Sequence, residues 1–196
     1  MLRFFKSKKK VSFNEQLTLL QTIGIKLNEN ISEELLLKEF SLQEYENDPY
    51  LLLMLAMGGE VEIDNIYFNG SNNIWYLDTE CIEDTGDYVR IAERIKDLSN
   101  GHLEMTEIND VVDIENLEAS LSFKLDGKEY HWSLKVDDDW LDITIIYKFN
   151  ELLKLKSPDK SISIFYLGGQ DCLIGIFSKQ QVKQLNTLKG IKFEII

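Results

Sequence analysis

Two cysteines and two histidines, Cys81, His102, His131 and Cys172, are the only thiol and imidazole side chains, the types that ligate zinc or act as a nucleophile and its base. Four such groups are enough in number for a zinc ion. Zinc sites usually place ligands in pairs about two to four residues apart, and no two of these lie so close. A Cys–His nucleophile would also need a third group to orient the base, and none can be assigned. Asp137-Asp138-Asp139 is the other tempting constellation, but consecutive side chains diverge, so at most two could converge on one cation. The Gly and Glu of an EF-hand loop do not follow. Gly168-Gly169 lacks the lysine of a phosphate loop and reads as a plain turn, and GxSxG, HExxH and the kinase set are absent. The expectation is no enzyme, with no catalytic, cofactor-binding or metal-binding residue.

Charge is the stronger signal. Among 196 residues, 34 acids face 21 Lys and Arg, a net charge of −13. Such a field repels phosphate backbones and argues against nucleic acid as a partner. The first ten residues carry five basic and no acidic side chains, so the remainder carries −18. Residues 78–118 hold 13 acids against Arg90, Arg94 and Lys96. Glu80, Glu83, Asp84 and Asp87 fall in a loop entering a helix; Glu104, Glu107, Asp110, Asp113, Glu115 and Glu118 follow at short intervals. Self-repulsion at this density costs stability, a cost that a surface complementary to a cationic protein would justify. Trp75, Tyr76, Tyr88 and Trp140 lie beside the acids and have the chemistry of interface anchors, although at least two are expected in the core.

The positioning elements follow from periodicity. Ser12-x-x-Glu15 is a capping box ahead of Phe13, Leu17 and Leu20. Ser32 is placed to cap a second helix carrying Leu35, Leu36 and Phe40, and Asp48-Pro49 to start a third, apolar one. Helical patterning stops at the seam from Gly58-Gly59 to Asn73, dividing a helical segment, 1–59, from an α+β domain, 60–196. Ile63–Phe68 and Ile74–Leu77 read as strands. A helix capped by Asp84 or Thr85 buries Tyr88, Ile91, Ile95 and Leu98. Asp126-Gly127 marks a tight hairpin that pairs Phe123 with Tyr130 and Leu121 with Trp132. Asp137–Asp139 then sit at the N-terminus of an expected helix, Trp140–Leu155. Ser161–Leu167 and Cys172–Phe177 are strands, and Ser178-x-x-Gln181 is another capping box. The fold class expected is α+β, a mainly antiparallel sheet with packed helices behind a helical N-terminal segment.

No apolar run approaches the roughly 18 residues of a membrane span, and the basic start, Met1 to Lys10, is followed by no apolar signal-peptide stretch. The expectation is a cytoplasmic protein with reduced cysteines and no membrane partner. The basic tip reads as a frayed solvated end, with weak contact to an anionic membrane as the alternative.

Trp75-Tyr-Leu-Asp-Thr-Glu-Cys-Ile-Glu-Asp-Thr-Gly-Asp-Tyr-Val89, the helix Arg90–Gly101, Tyr130-His-Trp-Ser-Leu-Lys-Val-Asp-Asp-Asp-Trp-Leu-Asp142 and Gly169-Gln-Asp171 together resemble small acidic bacterial immunity proteins found beside secreted polymorphic toxins. The resemblance covers roughly 75–196 and carries no catalytic signature. It implies a protein that binds a cognate toxin with a basic active surface, such as a nuclease, and blocks it. The expected contact set is Glu83, Asp84, Asp87, Asp137, Asp138 and Asp139, with Trp140 as an anchor. The alternatives are a metal- or thiol-dependent enzyme and a structural homo-oligomeric subunit assembled through the N-terminal helices.

Overall fold

Phe13, Leu17 and Leu20 recur at helical spacing, and helix α1 (Phe13–Ile23) forms around them, closed at its start by the reciprocal Ser12–Glu15 capping box. The structure is a computed structural model describing residues 10–196, so the basic tip lies almost wholly outside the described residues. Helices α2 (Glu33–Glu39), α3 (Leu42–Asn47) and α4 (Leu51–Gly58) complete a helical layer. Its polar fastener is the buried side chain of Gln16. That amide donates to the carbonyls of Val11 and Tyr45 at 3.0 and 2.9 Å and accepts the Tyr50 N–H at 2.8 Å. It thereby holds Tyr50 at φ 72°, a conformation that a bulky residue otherwise avoids.

Three sheets follow, all antiparallel in pairing. β1 (Glu60–Ile63) and β2 (Ile66–Asn69) form a hairpin. β3 (Trp75–Asp78), β7 (Lys160–Tyr166), β8 (Asp171–Ser178) and β9 (Glu194–Ile195) form the central sheet in the order β3-β8-β7-β9. β4 (Met105–Asp113), β5 (Glu118–Leu125) and β6 (Lys128–Leu134) form the third. Helices α5 (Asp87–Leu98), α6 (Thr144–Lys156) and α7 (Lys179–Leu185) cover them. This is an α+β fold.

The central sheet separates two cores because side chains alternate across a strand. Cys172, Ile174 and Ile176 of β8 join α5, α6 and the three-stranded sheet in one core. Leu173 and Phe177 join α1–α4 and α7 in the other. The helical N-terminal segment is thus docked on the α+β part. Gly58 makes that docking close: a Cβ there would lie 2.7 Å from the Tyr76 backbone nitrogen.

Several local expectations are met. Phe123 pairs with Tyr130 and Leu121 with Trp132 across Asp126-Gly127, both at positive φ. Trp132 packs edge-on against Phe123 and Phe149, centroids 4.9 Å away in each case. Others differ for identifiable reasons. Asp48 ends the short helix α3 instead of starting α4, because the Ser41–Glu44 capping box opens α3 just upstream. Ile63–Phe68 is split by Asp64-Asn65, both at positive φ, which turn the chain back as a hairpin. Helix α6 starts at Thr144, where the Asp142 carboxylate accepts the Thr144 N–H at 3.0 Å and its hydroxyl at 2.7 Å. Asp137–Asp139 therefore form a turn ahead of the helix, with Asp138 at φ 55°. Strand β4 runs through Glu107, Asp110 and Asp113, and Glu107, at φ 50°, sits in a register shift that breaks its alternation.

Candidate acidic interaction surface

Strand β3 leads into the loop 79–86, and that loop is tied to the turn 137–141 by main-chain hydrogen bonds. The Leu141 N–H donates to the Thr79 carbonyl at 2.8 Å, and the N–H groups of Cys81 and Ile82 both donate to the Asp139 carbonyl at 2.9 Å. The β7–β8 turn adds a third strip. Both the N–H and the hydroxyl of Thr79 donate to the Gln170 carbonyl, at 3.2 and 2.7 Å. The Gln170 side-chain amide donates to Asp78 at 3.0 Å and to Glu80 at 2.7 Å, bridging two carboxylates with one neutral group. Tyr76 donates its hydroxyl to Asp171 at 2.8 Å. Burial, then that hydrogen bond and the surrounding negative charge, push Tyr76 up to about 12.

Two acidic stretches more than fifty residues apart in sequence thus form one ridge. The contact residues expected from the sequence divide into two kinds there. Glu83, Asp84, Asp137 and Asp138 are exposed. Asp137 pairs only with the exposed Lys135, while Glu83, Asp84 and Asp138 have no cationic partner among the described residues. Asp87 and Asp139 are more structural. The Asp87 carboxylate accepts the N–H groups of Glu83 and Asp84 at 2.8 and 2.9 Å and faces Arg90 at 3.3 Å. Half-buried Asp139 supplies the carbonyl that holds the loop. Trp140, 41% exposed, is bridged through its backbone to Glu80 and stands on the ridge as a large accessible ring. Of the other aromatics, Tyr88 is wholly buried and Trp75 half-buried, whereas Tyr76 reaches the surface.

Asp110 has a different role from the acids around it. From β4 it reaches the start of α5, accepting the N–H groups of Gly86 at 2.8 Å, Tyr88 at 2.9 Å and Val89 at 3.3 Å. Neither Asp84 nor Thr85 caps the helix; the cap arrives from another strand, where a carboxylate meets free N–H groups and the positive end of the helix. Sequence reasoning left Asp78, Glu80, Gln170 and Asp171 out of the contact set. The signal was the turn before β8, which an antiparallel pairing of β3 with β8 brings beside the loop.

Next to the ridge, the outer edge of β3, packed at Tyr76 against Gly58, borders a cleft of about 450 Å³ between α5 and the α4–β1 junction. Its wall includes Trp75, Asp78, Arg90, Glu93, Arg94 and Asp97. Arg94 is 5% exposed. Its terminal nitrogens donate to the carbonyls of Ser71 and Ile74 at 2.6 and 2.8 Å and to Asn72 at 3.2 Å, while its Nε has no acceptor among the described residues. Burial draws Arg94 down to about 10, against the opposing pull of Asp97 and Glu60.

Burial pushes the Cys81 thiol up to about 11, with Arg90 pulling the other way, and the Cys172 thiol up to about 12. His102 is exposed beyond α5, and His131 lies on the outer face of β6. Among the described residues no three His, Cys, Asp or Glu side chains are grouped so as to hold a metal ion, and no helix is long and apolar enough to cross a membrane. Comparison with protein-family models, curated proteins and solved structures finds no match to this chain.

Proposed function

We propose that this chain is a non-catalytic binding protein that uses its acidic ridge to cover the basic active surface of a cognate bacterial toxin, as an immunity protein does, in the cytoplasm. A nuclease toxin, whose active surface must attract phosphate, is the partner that fits best. The observation that carries this reading is the joining of 78–87 to 137–140 into one surface, with the carboxylates of Glu83, Asp84 and Asp138 left without cations among the described residues. Rim carboxylates of this kind raise the association rate and select the partner, and Trp140 and Tyr76 supply apolar contact area at its centre. The high Cys81 and Cys172 values leave little thiolate at neutral pH, which weighs against a thiol nucleophile.

The test is the quadruple variant Glu83→Lys, Asp84→Lys, Asp137→Lys, Asp138→Lys, assayed against the toxin encoded beside it. These four side chains are exposed and are not part of the main-chain stitching, so the melting temperature should hold. At about 1 kcal/mol per reversed contact, affinity should fall on the order of 100- to 1,000-fold, with the toxin again active. Undiminished affinity in a folded variant refutes the proposal.

A further inference from the structure

β6 is an outer strand of the three-stranded sheet, and the hydrogen bonds around it fix which of its main-chain groups are free. The Lys135 N–H, one residue past β6, donates to the Asp142 carboxylate at 2.8 Å and so faces away from β5. Main-chain groups alternate along a strand, so those of Ser133, His131 and Glu129 face away too, while Lys128, Tyr130, Trp132 and Leu134 bond β5. Across the same ladder, the Val112 N–H donates to Thr85 rather than to β5, as this phase requires. Lys148 Nζ takes the Ser133 carbonyl at 3.4 Å, and the Asp126-Gly127 turn closes the other end of the strand. Between these stops, the outward N–H and C=O groups of Glu129 and His131 have no partner among the described residues, and both residues are exposed.

Three features describe what fits this edge. The free stretch, Lys128 to Trp132, is symmetric about Tyr130, so a second copy related by a two-fold axis there pairs every free group. That register sets Glu129 against His131 of the partner subunit, twice, a carboxylate acceptor facing an imidazole N–H donor on the polar face of the sheet. On the other face, Lys128, which lies 4.7 Å from the centre of the Tyr130 ring, meets Trp132 of the partner subunit. Charge is the second feature. Residues 119–136 hold three lysines against two acids, a balance of +1 in a chain of −13, so two acidic copies can approach here. The third is apolar. Helix α6 runs beside β6, with Lys148 at Ser133 and Lys156 paired to Asp126. Leu155, seven residues after Lys148, shares its side of α6 and is 79% exposed.

We infer that the chain forms a two-fold dimer through the outer edge of β6, which joins two three-stranded sheets into one of six strands. Four main-chain hydrogen bonds and two Glu129–His131 pairs hold the copies together, and Leu155 is covered at the flank. Asp142 and Lys148 occupy the groups beyond the free stretch and so select this register over a longer one. Asp137, where the acidic ridge begins, lies seven residues from the axis and past both stops. Each copy therefore keeps its ridge free, and the inference stands independently of the proposed function.

Sedimentation of the purified full-length protein over a concentration series tests this without the toxin, and a monomer–dimer equilibrium in the micromolar range is expected. Cysteine pairing reads the register. Residues 129 and 131 of the two copies would be a hydrogen-bonded pair with Cα atoms about 5.5 Å apart, within disulfide reach, whereas two copies of either residue would be too far apart. Glu129→Cys and His131→Cys proteins, mixed under oxidised glutathione, should therefore give the mixed disulfide, and neither should give its own. Cys172 is buried and Cys81 half-buried, so mass spectrometry of the linked peptides separates these products from native thiols. Glu129→Lys, at an exposed side chain, should weaken the dimer about tenfold or more at an unchanged melting temperature, and adding His131→Glu should restore it. A chain that stays monomeric to its solubility limit overturns the inference. So does a dimer that cross-links as readily within either variant as between them, or one that Glu129→Lys leaves unchanged. The quadruple ridge variant should still dimerise, so failure of this edge and failure of the ridge give separate results.

Discussion

Replacing Asp110 with alanine separates acids that hold the fold from the acids proposed to face a partner. Composition places Asp110 in the same block as Glu83 and Asp84, but its carboxylate takes three N–H groups at the start of α5. Loss of a single capping side chain costs about 0.5–2 kcal/mol, and loss of a carboxylate at the positive end of a helix about 0.3–1 kcal/mol more. The freed Gly86 N–H is exposed and can rehydrate, whereas that of Tyr88 is half-buried, so the sum comes to about 2–3 kcal/mol. In a chain of this size that is a fall in melting temperature of roughly 5–10 °C. Urea unfolding followed by tryptophan fluorescence measures it, with Asp110→Asn as a control that keeps an acceptor but loses the charge and should cost about half as much. The same variant should disturb partner binding less than Glu83→Lys with Asp84→Lys. A loss below about 0.5 kcal/mol would refute the assignment of Asp110 to the helix cap.

Gly58→Ala puts a methyl group 2.7 Å from the Tyr76 backbone nitrogen, and no flexible side chain can give way there. It should cost about 3 kcal/mol or more and loosen the helical layer, read as faster amide exchange in α4 and β3. Burial alone would raise Asp142, but hydrogen bonds from the Lys135 and Thr144 N–H groups and the Thr144 hydroxyl outweigh it and hold its pKa below the ordinary value. Its ionised form therefore contributes stability above about pH 4, lost as pH falls through the lowered value. Asp142→Asn should be less stable than the native chain at pH 7, with the gap narrowing toward pH 2.5; a gap independent of pH would contradict this. With its pKa at about 11, Cys81 should be alkylated by iodoacetamide at pH 7.5 roughly 100-fold or more slowly than free cysteine, whose pKa is about 8.5.

Much of the local architecture is written in contacts a few residues long. The Ser12–Glu15 and Ser178–Gln181 capping boxes close across three residues. The Asp126-Gly127 turn sets the register of everything in its hairpin, so the inward aromatics of β5 and β6 were legible from period-two patterning. The same reasoning misplaced the start of α6, because Asp137–Asp139 and Asp142 are equally good residues for a helix entry and only Asp142 accepts from Thr144. It also missed β4, whose alternation is interrupted at Glu107.

For the acidic surface, composition and order along the chain establish that negative charge is concentrated and roughly where. They do not sort the carboxylates by task. That sorting depends on partners far away: Asp110 meets Gly86 across 24 residues, and Gln170 meets Asp78 across 92. A carboxylate is an acceptor whose role is set by whichever donor reaches it. Donors brought by chain folding satisfy Asp110 and Asp78 and leave Glu83 and Asp138 facing solvent. The recess along β3 has the same origin, since an edge exists only once the strand order of the sheet is established.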